Sequence, residues 1–293
     1  MSKIKFSGLG WEGYTGQIAR IKQGIESFGH VTTHDDPDLI FCNDPSQYIN
    51  GINLKKKFPN SFLIFNFLDV PWHFPGVMKK LEIESTLMQK AADAVTVISH
   101  KVKKDLSKFY TGNIDVVYNP AKDVKLDENI KKENEFLYVG RANDPIKRIK
   151  LAYQSLKLLN KTDELIICGM EDPKFGKYLG VVKDEDLSKY YNSTKFVLLP
   201  SKAEGIGLSM IEGMICGSVP IMCSDNLTAK EFSPEEFICE PNPESLKNKI
   251  EEISKDYSKY RELALKYGEK YKIQFNKKTI ASNILEVYKK YKN

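Results

Sequence analysis

Along residues 1–118, short apolar runs alternate with stretches whose apolar positions recur every three to four residues. Runs at 3–8, 31–33, 38–42, 62–68, 94–98 and 114–118 predict strands, and periodic stretches at 15–28, 78–91 and 101–109 predict helices. This alternation predicts a parallel sheet covered by helices on both faces. Residues 119–135 interrupt it: they are polar and charged, carry Pro120 near their start and show no period. The pattern restarts with strands at 136–139, 165–168, 196–199 and 219–223 and helices at 147–159, 184–191, 208–216 and 243–254. A helical tail over 257–292 ends with Ile280, Ile284, Leu285, Val287 and Tyr288 as its apolar stripe. Two α/β sets joined by a polar linker predict two Rossmann-like domains, 1–125 and 126–275, facing each other across a cleft.

The totals narrow the function classes. With 293 residues, 41% hydrophobic and 28% charged, the chain falls in the globular range. Its longest apolar stretch, 61–70, contains Asn66 and Asp69 and is too short to span a membrane. The opening Met-Ser-Lys-Ile-Lys-Phe enters the first strand without a cleavable apolar region. The expectation is therefore a protein without a transmembrane segment, with peripheral membrane contact left open. Five cysteines, Cys42, Cys168, Cys216, Cys223 and Cys239, lack paired short spacing and read as reduced core thiols of a cytoplasmic protein. The net charge of +5 is spread out: Lys and Arg number 16 against 15 acidic residues over 1–130, and 28 against 24 over 131–293. No segment stands out as a nucleic-acid footprint. Only four of the 44 basic residues are Arg (Arg20, Arg141, Arg148 and Arg261), and two of them share one eight-residue stretch. An Arg kept in a chain that otherwise uses Lys suggests a need for a planar fork.

That stretch follows the strand at 136–139. Gly140 allows close backbone approach, and Arg141 and Lys147, the latter at the predicted start of a helix, can converge on one anion such as a diphosphate. A second segment, Ser201-Lys202-Ala203-Glu204-Gly205-Ile206-Gly207-Leu208, leaves a buried-strand pattern and opens a helix. Its glycines strip side chains from the turn and free backbone N–H groups for a ligand. Glu212 lies in that helix among residues that are apolar or small on almost every side, so its carboxylate needs a partner, and a ribose diol would serve. Asp36-Pro37-Asp38 and Asp184-Glu185-Asp186 have the form of metal-binding Asp pairs but fall where turns or helix starts are expected.

Gly140-Arg141, then Lys147-Arg148, then Pro200-Ser201 with Glu204-Gly205-Ile206-Gly207, then Glu212 eight residues after Glu204, together resemble the C-terminal domain of the retaining glycosyltransferase family 4. Residues 213–220, Gly-Met-Ile-Cys-Gly-Ser-Val-Pro, extend the resemblance, which is coherent over 136–225 and weaker in the first half. It implies the GT-B fold, with the C-terminal helix 276–293 returning toward the first domain. It also implies transfer of a sugar from a nucleotide-diphosphate donor, UDP- or GDP-linked, to an acceptor hydroxyl with retention of configuration and no metal or other cofactor. In that reading Arg141 and Lys147 bind the diphosphate, Glu204 with the backbone of Gly205, Ile206, Gly207 and Leu208 holds the donor sugar, and Glu212 holds the ribose.

The first half supplies a loop from Gly8 to Gly16 after strand one, the placement of a phosphate or sugar cradle, with Gly16 as a donor-binding candidate. Its spacing is not a dinucleotide fingerprint, which disfavours a dehydrogenase. Where relatives place a His, this chain has Leu68, followed by Asp69, with His73 displaced. Asp69 and His73, with Glu204, are the catalytic candidates. That departure leaves open a second reading, a nucleotide or nucleotide-sugar binding module that has lost catalysis. The acceptor, whether glycan, lipid-linked sugar, small molecule or DNA base, is not fixed by the sequence.

Overall fold

The computed structural model describes residues 1–7, 12–43, 48–68 and 77–292. It contains two compact units, residues 1–120 with 274–293 and residues 121–273. In the first unit the described residues form one parallel sheet in the order β2-β1-β3-β4-β5-β6. Its strands are β1 (Lys3–Ser7), β2 (Val31–Thr32), β3 (Leu39–Asn43), β4 (Phe62–Phe67), β5 (Ala94–Val97) and β6 (Ile114–Val116). Every residue of β3, β4 and β5 is buried. Continuous burial marks central strands covered on both faces, which is why these strands read as apolar runs rather than alternations. At their carboxyl ends Thr96 donates to Asn66 at 2.8 Å and Asn66 to Asn43 at 2.7 Å, so three polar side chains in register form a hydrogen-bonded row inside the sheet.

The connecting helices are α1 (Glu12–Glu26), α2 (Tyr48–Lys57), α3 (Val77–Ala91) and α4 (His100–Leu106). The hydroxyl of Ser99 caps α4 by accepting from the Val102 N–H at 3.0 Å. The unit is completed from far along the chain by α10 (Lys277–Lys292). Its Ile280, Ala281, Ile284, Leu285, Val287 and Tyr288 join Ile4, Ile21, Ile25 and Phe41 in a single core. Close approach of α10 to α1 needs Gly24, where a Cβ would lie 2.3 Å from the Lys277 carbonyl oxygen.

The second unit repeats the architecture in the order β12-β11-β10-β7-β8-β9, again all parallel. Its elements run β7 (Asn134–Val139), α5 (Ile149–Leu158), β8 (Leu165–Cys168), β9 (Lys177–Gly180), α6 (Asp184–Ser193), β10 (Thr194–Leu199), α7 (Leu208–Ile215), β11 (Val219–Cys223), β12 (Ile238–Cys239), α8 (Pro243–Lys255) and α9 (Tyr257–Gln274). Two such sheets with their helices are the GT-B architecture. No described helix is long and apolar enough to cross a membrane.

The sequence pattern misses α2, β9 and β12, each for a local reason. Gly51 sits inside α2, which also lacks a clear apolar stripe; β12 has two residues; the β8–β9 pairing carries a register shift. The single predicted tail helix is two helices, because Asn276 starts a new one. Its side chain accepts from the Lys278 N–H at 2.8 Å and its carbonyl from the Ile280 N–H. The two Asp-rich lookalikes lie in a turn, where Asp36 is left-handed and Asp38 accepts from the Lys3 N–H, and in the first turn of α6.

Replacing Gly24 by Ala should destabilise the first unit by about 1–3 kcal/mol, the usual penalty for overpacking, because the new methyl must push α10 away from α1. Urea unfolding followed by tryptophan fluorescence would measure it, and an unchanged midpoint would show that the two helices separate freely.

Candidate active site

Parallel strands place the loops after β7, β8, β10 and β11 at one end of the second sheet. The loop after β7 holds the first cations. Tyr138 donates its hydroxyl to the Arg141 carbonyl at 3.1 Å, and the Arg141 guanidinium pairs with Asp144 at 2.7 Å. Asp144 also caps a 3-10 turn, Pro145–Lys147, by accepting from the Ile146 N–H. Arg148 then adopts a left-handed conformation (φ 48°, ψ 34°), and α5 begins only at Ile149. Lys147 therefore ends a 3-10 turn instead of opening the helix, correcting the predicted start at 147. Arg148 is held by three hydrogen bonds, from Nε to the Pro200 carbonyl at 2.8 Å and from its two terminal nitrogens to both Asp225 oxygens at 2.8 and 2.7 Å.

The loop after β10 meets this turn directly. The Lys202 N–H donates to the Ile146 carbonyl at 2.8 Å, and Lys147 Nζ donates to Glu204 Oε2 at 2.6 Å. Ser201 donates its hydroxyl to the other Glu204 oxygen, also at 2.6 Å. The two predicted phosphate cations thus face separate resident carboxylates, Arg141 toward Asp144 and Lys147 toward Glu204. Ile206 is buried and anchors the loop, while Gly207 takes φ 84° and enters α7 without a side-chain cap. A Cβ at Gly207 would also lie 3.0 Å from the Leu199 side chain, so glycine is favoured by its backbone conformation and by the tight packing. The N-terminal amides of α7, beginning at Leu208, open at the same end of the sheet as Arg141 and Lys147.

One helical turn further, Glu212 is 3% exposed. Its Oε1 accepts from the Lys122 N–H at 3.0 Å and its Oε2 from the Tyr191 hydroxyl at 2.8 Å. The buried carboxylate that the sequence flagged is thus already satisfied by the protein, and neither partner carried a recognisable signal. Burial and the adjoining Glu212 push the Tyr191 phenol well above its ordinary pKa, so it stays a donor. Behind Tyr191, Lys132 reaches three oxygens, the carbonyls of Tyr191 and Cys216 at 2.9 and 3.0 Å and the Ser218 hydroxyl at 3.1 Å. Burial nevertheless pushes Lys132 down to about 7.

In the first unit, Gly16 lies within α1, with the Arg20 guanidinium packed over it at 3.6 Å from the position a Cβ would take. Leu68 is buried at the end of β4. Asp69, His73 and residues 8–11 lie outside the described residues. Among the described residues no group of three or more His, Cys, Asp or Glu side chains is placed to hold a metal ion.

The sequence profile of the family described as Glycosyl transferases group 1 matches residues 120–272. The O-antigen chain mannosyltransferase B of Escherichia coli is 32% identical over 115 residues, 39% of this chain and 30% of that relative's length. An uncharacterized glycosyltransferase of Methanocaldococcus jannaschii is 23% identical over 79% of this chain and 81% of its own. Among solved structures, the fold is similar to sucrose-phosphate synthase from Thermosynechococcus elongatus (TM-score 0.82, 18% identity, 99% of each chain). It is also similar to Anabaena HepE in complex with UDP and glucose (TM-score 0.80, 16% identity, 99% of this chain and 100% of that one).

Glu212→Gln should destabilise the second unit by about 1–3 kcal/mol, since an amide has one acceptor oxygen where the Lys122 N–H and the Tyr191 hydroxyl each use one and loses the charge assistance of the carboxylate. Tyr191→Phe should cost a similar amount, and the double variant less than the sum. Denaturant titration of the three variants checks this, and full additivity would mean that the two groups do not interact.

Proposed function

Because the chain belongs to the group 1 glycosyl transferases, we propose that residues 121–273 bind a nucleotide-diphosphate sugar at the carboxyl end of their sheet and deliver its sugar to an acceptor hydroxyl. The observation that carries this reading is the joining of the loop after β7, with its two cations, to the Glu204 loop and to the α7 N-terminus, which no side chain caps, at one sheet end. An entering diphosphate competes with Asp144 for Arg141 and with Glu204 for Lys147, while the amides of Gly205, Ile206, Gly207 and Leu208 supply uncharged donors. Lys147 and Glu204 therefore act as a unit: when phosphate oxygens draw the ammonium away, the Glu204 carboxylate is left to accept from a sugar hydroxyl. Glu212, held at the base of the site by the Lys122 N–H and the Tyr191 hydroxyl, is the carboxylate to which a ribose diol would donate.

In this scheme the leaving diphosphate accumulates negative charge that Arg141, Lys147 and the α7 amides stabilise without a metal ion. The acceptor attacks the face the diphosphate leaves, with a donor phosphate oxygen taking its proton, so configuration is retained. Asp69 and His73 remain the acceptor-side catalytic candidates, and Gly16 a donor-side one. The HepE complexes with UDP and with UDP-glucose support a nucleotide-sugar donor by likeness of fold.

Isothermal titration with UDP and GDP tests the phosphate site. Lys147→Ala should weaken the preferred diphosphate by about 10- to 100-fold, as for a charge-assisted contact. Arg141→Ala should weaken it less, since its side chain is 46% exposed and screened by solvent. Glu204→Gln should spare or strengthen diphosphate binding while depressing sugar transfer, because it frees Lys147. Wild-type affinity in both cation variants would remove the assignment.

Chelation tests the charge scheme separately. Sugar transfer from the preferred donor should persist in EDTA at an unchanged rate. Activity abolished by EDTA and restored by magnesium or manganese would mean that a divalent ion, and not this cation pair, carries the phosphate charge.

A further inference from the structure

Two cysteines stand opposite each other at the carboxyl end of the same sheet. Cys223 closes β11 and Cys239 closes β12, and they are register partners across the parallel pair. Adjacent strands lie about 4.8 Å apart, inside the Cα separation of roughly 4.4–6.8 Å that a disulfide spans, and partners in register project from the same face. Both are free thiols. Cys223 is wholly buried, whereas Cys239 is 6% exposed and lines a cavity of about 390 Å³ bordered by Lys230, Glu240, Ser245 and Lys249. That space admits a molecule the size of hydrogen peroxide to Cys239 alone.

We propose that Cys223 and Cys239 form an oxidisable dithiol, a modification site that a peroxide converts to a cross-strand disulfide. The thiols are already in contact. The single Cys239 hydrogen has two acceptors, the Met222 carbonyl at 3.4 Å and the Cys223 sulfur, which this contact and the nearby Arg148 make the more acidic of the two. The hydrogen bond to Cys223 and burial push the Cys239 thiol itself up, Lys249 favours an anion there and Glu240 opposes one, and Asp225 and Glu240 oppose one at Cys223. Once the pair has lost one proton, passage of the other from Cys239 to Cys223 presents a thiolate to the cavity. Cys239 sulfur attacks a peroxide oxygen, the O–O bond breaks, and the departing hydroxide takes a proton to leave as water. Cys223 sulfur then attacks the sulfenic sulfur, the S–O bond breaks, and the second hydroxide leaves as water with the Cys223 proton. Overall two thiols and one peroxide give one disulfide and two waters. The other strand cysteines lack such a partner: Cys42 stands in register with Ser7 and Phe65, and Cys168 with Val139 and Gly180.

The bond would close residues 224–238 into a loop. That segment includes Asp225, the partner of Arg148, and otherwise returns to the sheet through only two register pairs. The inference is independent of the donor reading, and its test needs no substrate. The folded, reduced full chain is treated with hydrogen peroxide, quenched, alkylated in denaturant and mapped by peptide mass spectrometry. The expected product joins the peptides of Cys223 and Cys239, is reversed by dithiothreitol, leaves Cys42, Cys168 and Cys216 alkylated, and raises the thermal midpoint. In Cys223→Ser, Cys239 should instead be trapped as a sulfenic acid by dimedone. Full alkylation of Cys223 and Cys239 after treatment of folded wild-type protein would overturn the proposal, as would a bond between any other pair of cysteines.

Discussion

The arrangement of the candidate site hangs on one arginine in an unfavourable backbone conformation. A non-glycine residue at φ 48° carries strain of order 1 kcal/mol, and Arg148 is kept there by three hydrogen bonds to two other loops. The fork matters because three separate nitrogens meet the two Asp225 oxygens and the Pro200 carbonyl, a spread that the single nitrogen of a lysine does not reproduce. By holding that turn, Arg148 fixes where Lys147 emerges, and through Pro200 and Asp225 it ties the start of α5 to the ends of β10 and β11. The clamp accounts for an arginine at position 148 without any contact with a ligand.

Behind the clamp is a buried polar system that leads from Glu212 through Tyr191 to Lys132 and Ser218. Each member uses a neighbour's backbone or side chain to satisfy a group that would otherwise be stranded in a low-dielectric interior. It joins α7, the end of α6 and the segment leading into β7. The helix whose amides open at the site is consequently braced by hydrogen bonds from below as well as by apolar packing.

The legible part of this protein was that set by period and by glycine. Largely apolar runs such as 62–67 read as covered strands, and the turn at Gly207 could be recognised because its left-handed dihedral and its closeness to Leu199 favour glycine. Partnerships across sequence were not legible. Nothing near Glu212 announced Tyr191 or the Lys122 amide, and the Lys147 to Glu204 pair joins residues 57 positions apart. The predicted helix start at Lys147 failed because a left-handed arginine has no local signature. Periodicity reports which face is buried, whereas ion pairs and strained turns depend on which loops the topology brings together.

The dependence of the first core on α10 has a consequence for how the chain acquires its structure during synthesis. Residues 1–120 cannot bury Ile4, Ile21 and Phe41 fully until residues 280–288 exist, and the whole second unit lies between them in the chain. On the ribosome the second unit, being continuous, can fold while the first still exposes part of its apolar surface. The N-terminal half is therefore the later to mature and the more exposed to proteases and chaperones on the way.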